Sequence, residues 1–203
     1  QNNGHGRNNR DWDSKLGGLY FSVIFYPDLP VTYSFLYILA ASISLVQTMR
    51  AITSLPATIK WPNDILVNNK KVAGILIETV GEASCPLYFI LGIGVNIHNK
   101  VKKTLPDAAS LSDLTHIPIY RSSFLSLYQK KFSAIIEDIR KPSFLTLYKK
   151  YSYTLGKDVT LFLQKRKKLH GKVVDISRTG DLVLADNSGK KHLAFFGDCV
   201  YTA

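Results

Sequence analysis

Cysteine is almost missing from this sequence: of 203 residues only two are cysteine. Cys85 and Cys199 stand far apart with no C-x-x-C spacing, which argues against a zinc site and supplies no disulfide framework. A reducing compartment, the cytoplasm, is the expectation. Acidic residues are also in short supply. The chain has 15 Asp and Glu against 26 Lys and Arg, a formal charge of +11, so nucleotides, nucleic acid or an acidic protein are the expected partners. No glycine-rich stretch ends in Gly-Lys-Ser or Gly-Lys-Thr, and none fits G-x-G-x-x-G between a strand and a helix. The longest apolar run, YSFLYILAASISLVQTM at 33 to 49, falls short of the usual membrane-spanning length and carries Ser34, Ser42, Ser44, Gln47 and Thr48. Leu36, Leu39, Ile43 and Val46 recur there at helical spacing, which predicts a buried core helix and no membrane segment. A charged n-region and a cleavage signal are absent as well.

The sequence does hold material for a substantial core, with 46% hydrophobic residues. LYFSVIF reads as a strand, the helix at 33 to 53 follows, and ATIKW, ILVNN returning as KKVAGILIETV, and PLYFILGIGVNIH read as successive strands. Asn68-Asn69 suits a tight hairpin turn because asparagine tolerates positive φ. Phe124, Leu127, Tyr128, Ile135, Ile136 and Ile139 then line one helical face, and Pro142 opens a shorter helix to about residue 152. Beyond it VTLFL, GKVVDIS, DLVLAD and HLAFF are short strands between turn-rich segments, the pattern of a small β-barrel. The spacing places a domain boundary near 154.

Candidate chemistry clusters in four stretches. GHGRNNRDW, residues 4 to 12, combines Gly4 and Gly6, which allow close backbone approach, with the planar forks of Arg7 and Arg10, suited to phosphate or carboxylate. A solvated basic loop is the alternative reading of that stretch. KWPND at 60 to 64 ends a strand with proline and presents Asn63 and Asp64 at a turn. Lys71 opens the returning strand KVAGIL, with Gly74 three residues later. In LGIGVNIH, Gly92 and Gly94 share one face with Asn96 and clear a flat surface.

Q-x-x-G-x-G-R-x-x-R-x-W, KWPND, KKVAGIL-x-E and GIGVN, in this order and at these intervals, resemble the biotin protein ligases. The resemblance covers almost the whole chain, including LPDAASL at 105 to 111. It implies an α+β fold: a mixed sheet with helices on one side, class II synthetase-like, over residues 1–154, followed by a small SH3-like β-barrel over 155–203. It also implies an ATP-dependent ligase that makes biotinyl-5′-AMP with Mg2+ and passes the acyl group to a lysine of a biotin carboxyl carrier protein. The lipoate ligases share the fold without this pair of motifs and stand as a distant alternative. A basic nucleic-acid-binding module, resting on the charge and on KRKK at 165 to 168, is the rival from another class.

Roles follow from the resemblance position by position. Lys71 matches the lysine that holds biotin's carboxyl oxygen against the α-phosphate, and Arg7 matches the loop arginine at the phosphate. Gln1 matches the glutamine beside the biotin head group, Gly4, His5 and Gly6 lie in the loop over biotin, and Gly74 is counted among the substrate-binding residues. Trp12 matches the aromatic flanking adenine, Asn63 and Asn96 the nucleotide-side amides, and Gly92 and Gly94 the adenine shelf. Asp64 is placed to organise metal or the attacking amine; the metal ligands themselves are not identified. Two departures stand out: the family's strand, helix and Ser/Thr-bearing segment upstream of Gln1 are not in this sequence, and His5 occupies a position where arginine is usual.

Overall fold

The computed structural model describes residues 3–26, 28–82, 85–102, 104–162, 168–195 and 197–201. Gln1 lies outside the described residues, as do residues 165 to 167 of the KRKK run. The stretch expected to be a loop opens as a short antiparallel hairpin: β1 (Gly4–His5) pairs with β2 (Asp11–Trp12), Gly4 opposite Trp12. Asn8, at φ 56°, turns its tip, and the Gly6 N–H donates to the Arg10 carbonyl at 2.7 Å.

The main sheet is built from β3 (Leu19–Phe25), β4 (Thr58–Lys60), β5 (Asp64–Val67), β6 (Lys70–Glu82) and β7 (Cys85–Val95). Its order is β3-β7-β6-β5-β4 and every ladder is antiparallel; the parallel component enters as single bridges, Lys71 to Ala108 and Ile59 to Ser152. Asn68 and Asn69, at φ 49° and 61°, make the β5–β6 turn that the sequence predicts.

One face of this sheet is apolar and carries the helices. Ile59, Ile65, Ala73, Ile75, Leu91, Ile93 and Val95 are buried there, and α1 (Phe35–Thr53) packs against β4, β5 and β6. Helix α1 is long and apolar enough to cross a membrane by length alone, but Leu39, Ile43 and Val46 are fully enclosed by the sheet and its helical neighbours, the core role the periodicity predicts. Its buried hydroxyls need no outside partner, because Ser42, Ser44, Thr48 and Thr53 each donate to the carbonyl four residues earlier. Helices α2 (Arg121–Glu137) and α3 (Pro142–Tyr151) flank α1 on the same side. The opposite face of the sheet is therefore free to build a site.

The C-terminal segment forms a second antiparallel sheet from β8 (Asp158–Phe162), β9 (Lys168–Ile176), β10 (Leu182–Ala185), β11 (Lys191–Ala194) and β12 (Asp198–Tyr201), in the order β11-β10-β9-β8-β12. The last strand, DCVY, is one the sequence reading did not anticipate. Trp61 bolts the two sheets together. Buried to 1% exposure, it donates its indole N–H to the Gly180 carbonyl at 3.1 Å and its backbone N–H to Thr154 Oγ1 at 3.0 Å. Thr154 in turn shares a hydrogen bond with the Tyr201 hydroxyl at 2.7 Å.

Candidate active site

Strand pairing sets out the free face of the main sheet in rows. Lys60 lies opposite Asp64, Asp64 opposite Gly74, Gly74 opposite Gly94 and Gly94 opposite Tyr20. The next row runs Leu76, Gly92 and Ser22. Lys71 joins this face only because the ladder slips. Three residues from Gly74, it would point the other way in a regular strand, but the register shifts between Ile65 and Leu66, buries both Val72 and Ala73, and returns Lys71 to the side of Gly74.

Lys71 Nζ then stands 2.7 Å from Asp64 Oδ1 and 5.2 Å from the centre of the Trp12 ring. The Asp64 contact is one of charge without the alignment of a hydrogen bond, so the oxygen keeps capacity to accept. The backbone of Lys71 is fixed from outside the sheet. Its N–H donates to the Asp107 carbonyl at 2.7 Å and its own carbonyl accepts from Ala109 at 3.0 Å, which pins LPDAASL alongside it.

The glycines have different neighbours. A Cβ on Gly94 would come within 2.6 Å of the Trp12 indole, and one on Gly74 within 2.8 Å. The hairpin thus lays Trp12 flat on both, its Nε1 buried without a partner among the described residues. Gly92 is different: a Cβ there would touch only Leu76, at 3.8 Å. It opens into a cavity of about 740 Å³, shared with His5, Arg7, Ser22, Asn63 and Leu76. A second cavity, about 550 Å³, lies on the other side of Trp12, Asp64 and Lys71 and is lined by Asn96, Asn99, Lys60, Tyr153 and Tyr201 with residues 104 to 108. Both sizes suit small-molecule ligands. Asn63 and Asn96, grouped together in the sequence reading, fall to different cavities.

Arg7 is held by two parts of the chain. It donates to Asn63 Oδ1 at 3.2 Å and to the Gly197 carbonyl at 3.1 Å, and lies 3.8 Å from Asp198. Asn63 is itself clamped, giving its side-chain N–H to the Ile75 carbonyl at 2.7 Å and accepting from the Ile75 N–H at its own carbonyl, 2.9 Å. Cys199 lines the first cavity, but burial pushes its thiol up to about 12, so it is no nucleophile at neutral pH. Among the described residues, no group of three or more His, Cys, Asp or Glu side chains converges as a metal site.

Lys71, paired with Asp64, and Arg7, held by Asn63 and Gly197, bring two cations to one cavity, a geometry suited to joining two anions. The chain also matches known proteins. The Biotin/lipoate A/B protein ligase family profile covers residues 1–96. Over 201 residues the chain is 32% identical to the bifunctional ligase/repressor BirA of Bacillus subtilis, spanning 95% of this chain and 62% of that protein. These likenesses support a biotin ligase catalytic domain. The biotin–[acetyl-CoA-carboxylase] ligase of Mycobacterium tuberculosis is 29% identical to it, covering 99% of this chain and 76% of its own length. The biotin protein ligase of Aquifex aeolicus, solved with biotin and ATP, superposes with a TM-score of 0.82 at 28% identity, over 98% of this chain and 84% of that one. The α+β ligase fold read from the motifs is thus the one observed. Against the Bacillus proteins, the chain spans about 62% of their length.

The cavity is also lined by residues that the motifs did not single out. Tyr20 and Ser22 reach the site face through the alternation in LYFSVIF, a signal that becomes readable once their strand is paired with the glycines. Asp198 had no signal at all, since it arrives from the other sheet.

Proposed function

We propose that this chain activates biotin with ATP as biotinyl-5′-AMP and transfers the biotinyl group to a lysine of a biotin carboxyl carrier domain. The observation that carries the reading is the placement of Lys71 and Arg7 at one cavity whose wall at Gly92 and Leu76 is free of side-chain obstruction. A carboxylate oxygen attacks the α-phosphorus, forming the P–O bond as pyrophosphate leaves. Lys71 holds the carboxylate, and Arg7, already oriented by Asn63 and Gly197, takes the phosphoryl oxygens as charge builds on them. In the second step the carrier's amine attacks the acyl carbon and AMP leaves, with Asp64 beside Lys71 to receive the amine's N–H.

The bicyclic head of biotin takes the Gly92–Leu76 side, beneath His5 and Gly6, with Gln1 at the same end by resemblance; this moves Gly92 from the adenine shelf expected of it to the biotin side, because Trp12 lies against Gly74 and Gly94 and not against Gly92. The nucleotide extends past Trp12 toward Asn96 and the second cavity, with Asn63 at the phosphate side. The described residues do not build a dedicated metal centre; Mg2+ fits here as a passenger on the triphosphate. A division into a ligase domain over 1–154 and an SH3-like domain over 155–203 belongs to the same proposal, as does a cytoplasmic setting, which the free, buried Cys199 suits.

The test is direct. The chain is mixed with biotin, labelled ATP and magnesium, and the products are separated. Biotinyl-adenylate with stoichiometric pyrophosphate supports the proposal. Adenylation of lipoate in preference to biotin, or no adenylation with salt-dependent binding to generic nucleic acid, overturns it.

A further inference from the structure

The hairpin that covers the cavity does not rest on the main sheet alone. Its two arginines both reach the C-terminal sheet: Arg10 forms an ion pair with Asp198, Arg7 lies 3.8 Å from the same carboxylate, and the neighbouring Gly197 carbonyl accepts from Arg7 at 3.1 Å. Asp198 opens β12, opposite Phe162 of β8, so it is fixed by strands that carry none of the ligase motifs. Gly197 precedes it at φ 147°, where a Cβ would strike Leu161 at 2.8 Å; the carbonyl that accepts from Arg7 therefore depends on a glycine. Within the hairpin, β1 and β2 pair over two residues each. So short a ribbon is marginal alone, and its closure depends on what its tip is tied to.

We infer that Asp198 is a positioning residue: from the C-terminal sheet it latches Arg7 and Arg10 and so holds the 4–12 hairpin shut over the cavity. The inference rests on the adenylate-forming reading above. A mixed anhydride must be kept from water until an acceptor arrives, and the latch makes that retention depend on a carboxylate outside the reacting groups. Its sign is unusual. Asp198 adds negative charge near the phosphate, so removing the charge favours nucleotide capture while it loosens the cover. A residue that merely supported the fold would move both in the same direction.

The experiment uses the full chain as Arg10→Ala, Asp198→Asn and the double variant. Arg10 is largely exposed, with 64% of its side chain accessible, so its truncation spares the fold even where Asp198→Asn does not. Two quantities are read: release of preformed adenylate in a single turnover, and hydrogen exchange of the hairpin amides without ligand, Gly6 above all. Each single variant is expected to release adenylate roughly tenfold faster, the scale of losing a hydrogen bond to a charged group, with an unchanged or lower KM for ATP in Asp198→Asn. The double variant should be no faster than the faster single one, and Gly6 should exchange faster in all three. Unchanged release and exchange, or effects that multiply in the double variant, overturn the latch. Should the unmodified chain make no adenylate, the ligase reading fails on its own, and the exchange arm still decides whether Asp198 holds the hairpin.

Discussion

Lys71 and Asp64 face one another across neighbouring strands with 2.7 Å between ammonium and carboxylate, and neither is free to drift. Asp64 begins β5 directly after the KWPND turn, and Lys71 is gripped through its backbone by residues 107 and 109. The pair is partly accessible, with 34% and 20% of the side chains exposed, so it stays open to exchange partners with a ligand. An arriving carboxylate or phosphate competes with Asp64 for a lysine that is already aimed.

Lys71→Gln should therefore cut adenylate formation by on the order of 3 kcal/mol of transition-state stabilisation, a loss of about two orders of magnitude in rate. The melting temperature should hardly change. Pyrophosphate release in a rapid-quench assay, beside a thermal melt, checks both; near-normal adenylation would remove Lys71 from the chemistry.

Gly94 and Gly92 should behave differently although they sit two residues apart on the same face. Gly94→Ala puts a methyl 2.6 Å from the Trp12 indole, so the ring must lift from the sheet and its fluorescence should shift toward that of a solvated tryptophan. Gly92→Ala meets nothing closer than 3.8 Å and should leave the emission unchanged, while the added methyl narrows the first cavity and weakens biotin binding. Emission spectra and calorimetry with each ligand distinguish the two; identical emission in both variants would mean that Trp12 does not rest on Gly94.

Thr154→Val should destabilise the chain by about 1–3 kcal/mol, because the buried N–H of Trp61 and the hydroxyl of Tyr201 both lose their partner. Urea unfolding measures it. A change below a few tenths would show that another group takes over both bonds.

An acid-sensitive contact joins α3 to the C-terminal sheet. Lys149 Nζ lies 2.6 Å from Asp175 Oδ1, and this hydrogen bond is the main cause that holds the Asp175 carboxyl below its ordinary value. A depressed carboxyl stabilises the fold above its unfolded pKa and loses that contribution as pH falls through the folded value. Below roughly pH 4, the ordinary aspartate value, the unmodified chain should lose stability more steeply than Asp175→Asn. The difference should be small, since Asp175 is half exposed. Parallel acid limbs for the two proteins would show that solvent screens the pair completely.

Much of the fold was legible because its signals are local. The alternation in LYFSVIF, the helical spacing of Leu36, Leu39, Ile43 and Val46, and the two asparagines at 68 and 69 each report on neighbours within a few residues. The 4 to 12 stretch was opaque as a hairpin, since each of its strands is only two residues long and no periodicity fits in so little chain. DCVY was missed because it is only four residues long and follows a glycine. The site divides in the same way. Lys71, Asp64, Arg7 and the glycines were found by their motifs, whereas the separation of Asn63 from Asn96 and the arrival of Asp198 depend on how strands distant in sequence are brought together.

Trp61 sits inside the most specific motif of the chain, yet its indole N–H points away from the cavity and ends on the carbonyl of Gly180. Gly180 has φ 93°, and a Cβ there would meet Phe35 at 2.6 Å, so the receiving turn is as constrained as the donor. Modularity therefore fails at this joint. A chimera that borrows its C-terminal sheet from a relative inherits an intact set of ligase motifs and still breaks the seat of Trp61 unless the grafted turn brings a glycine to that position.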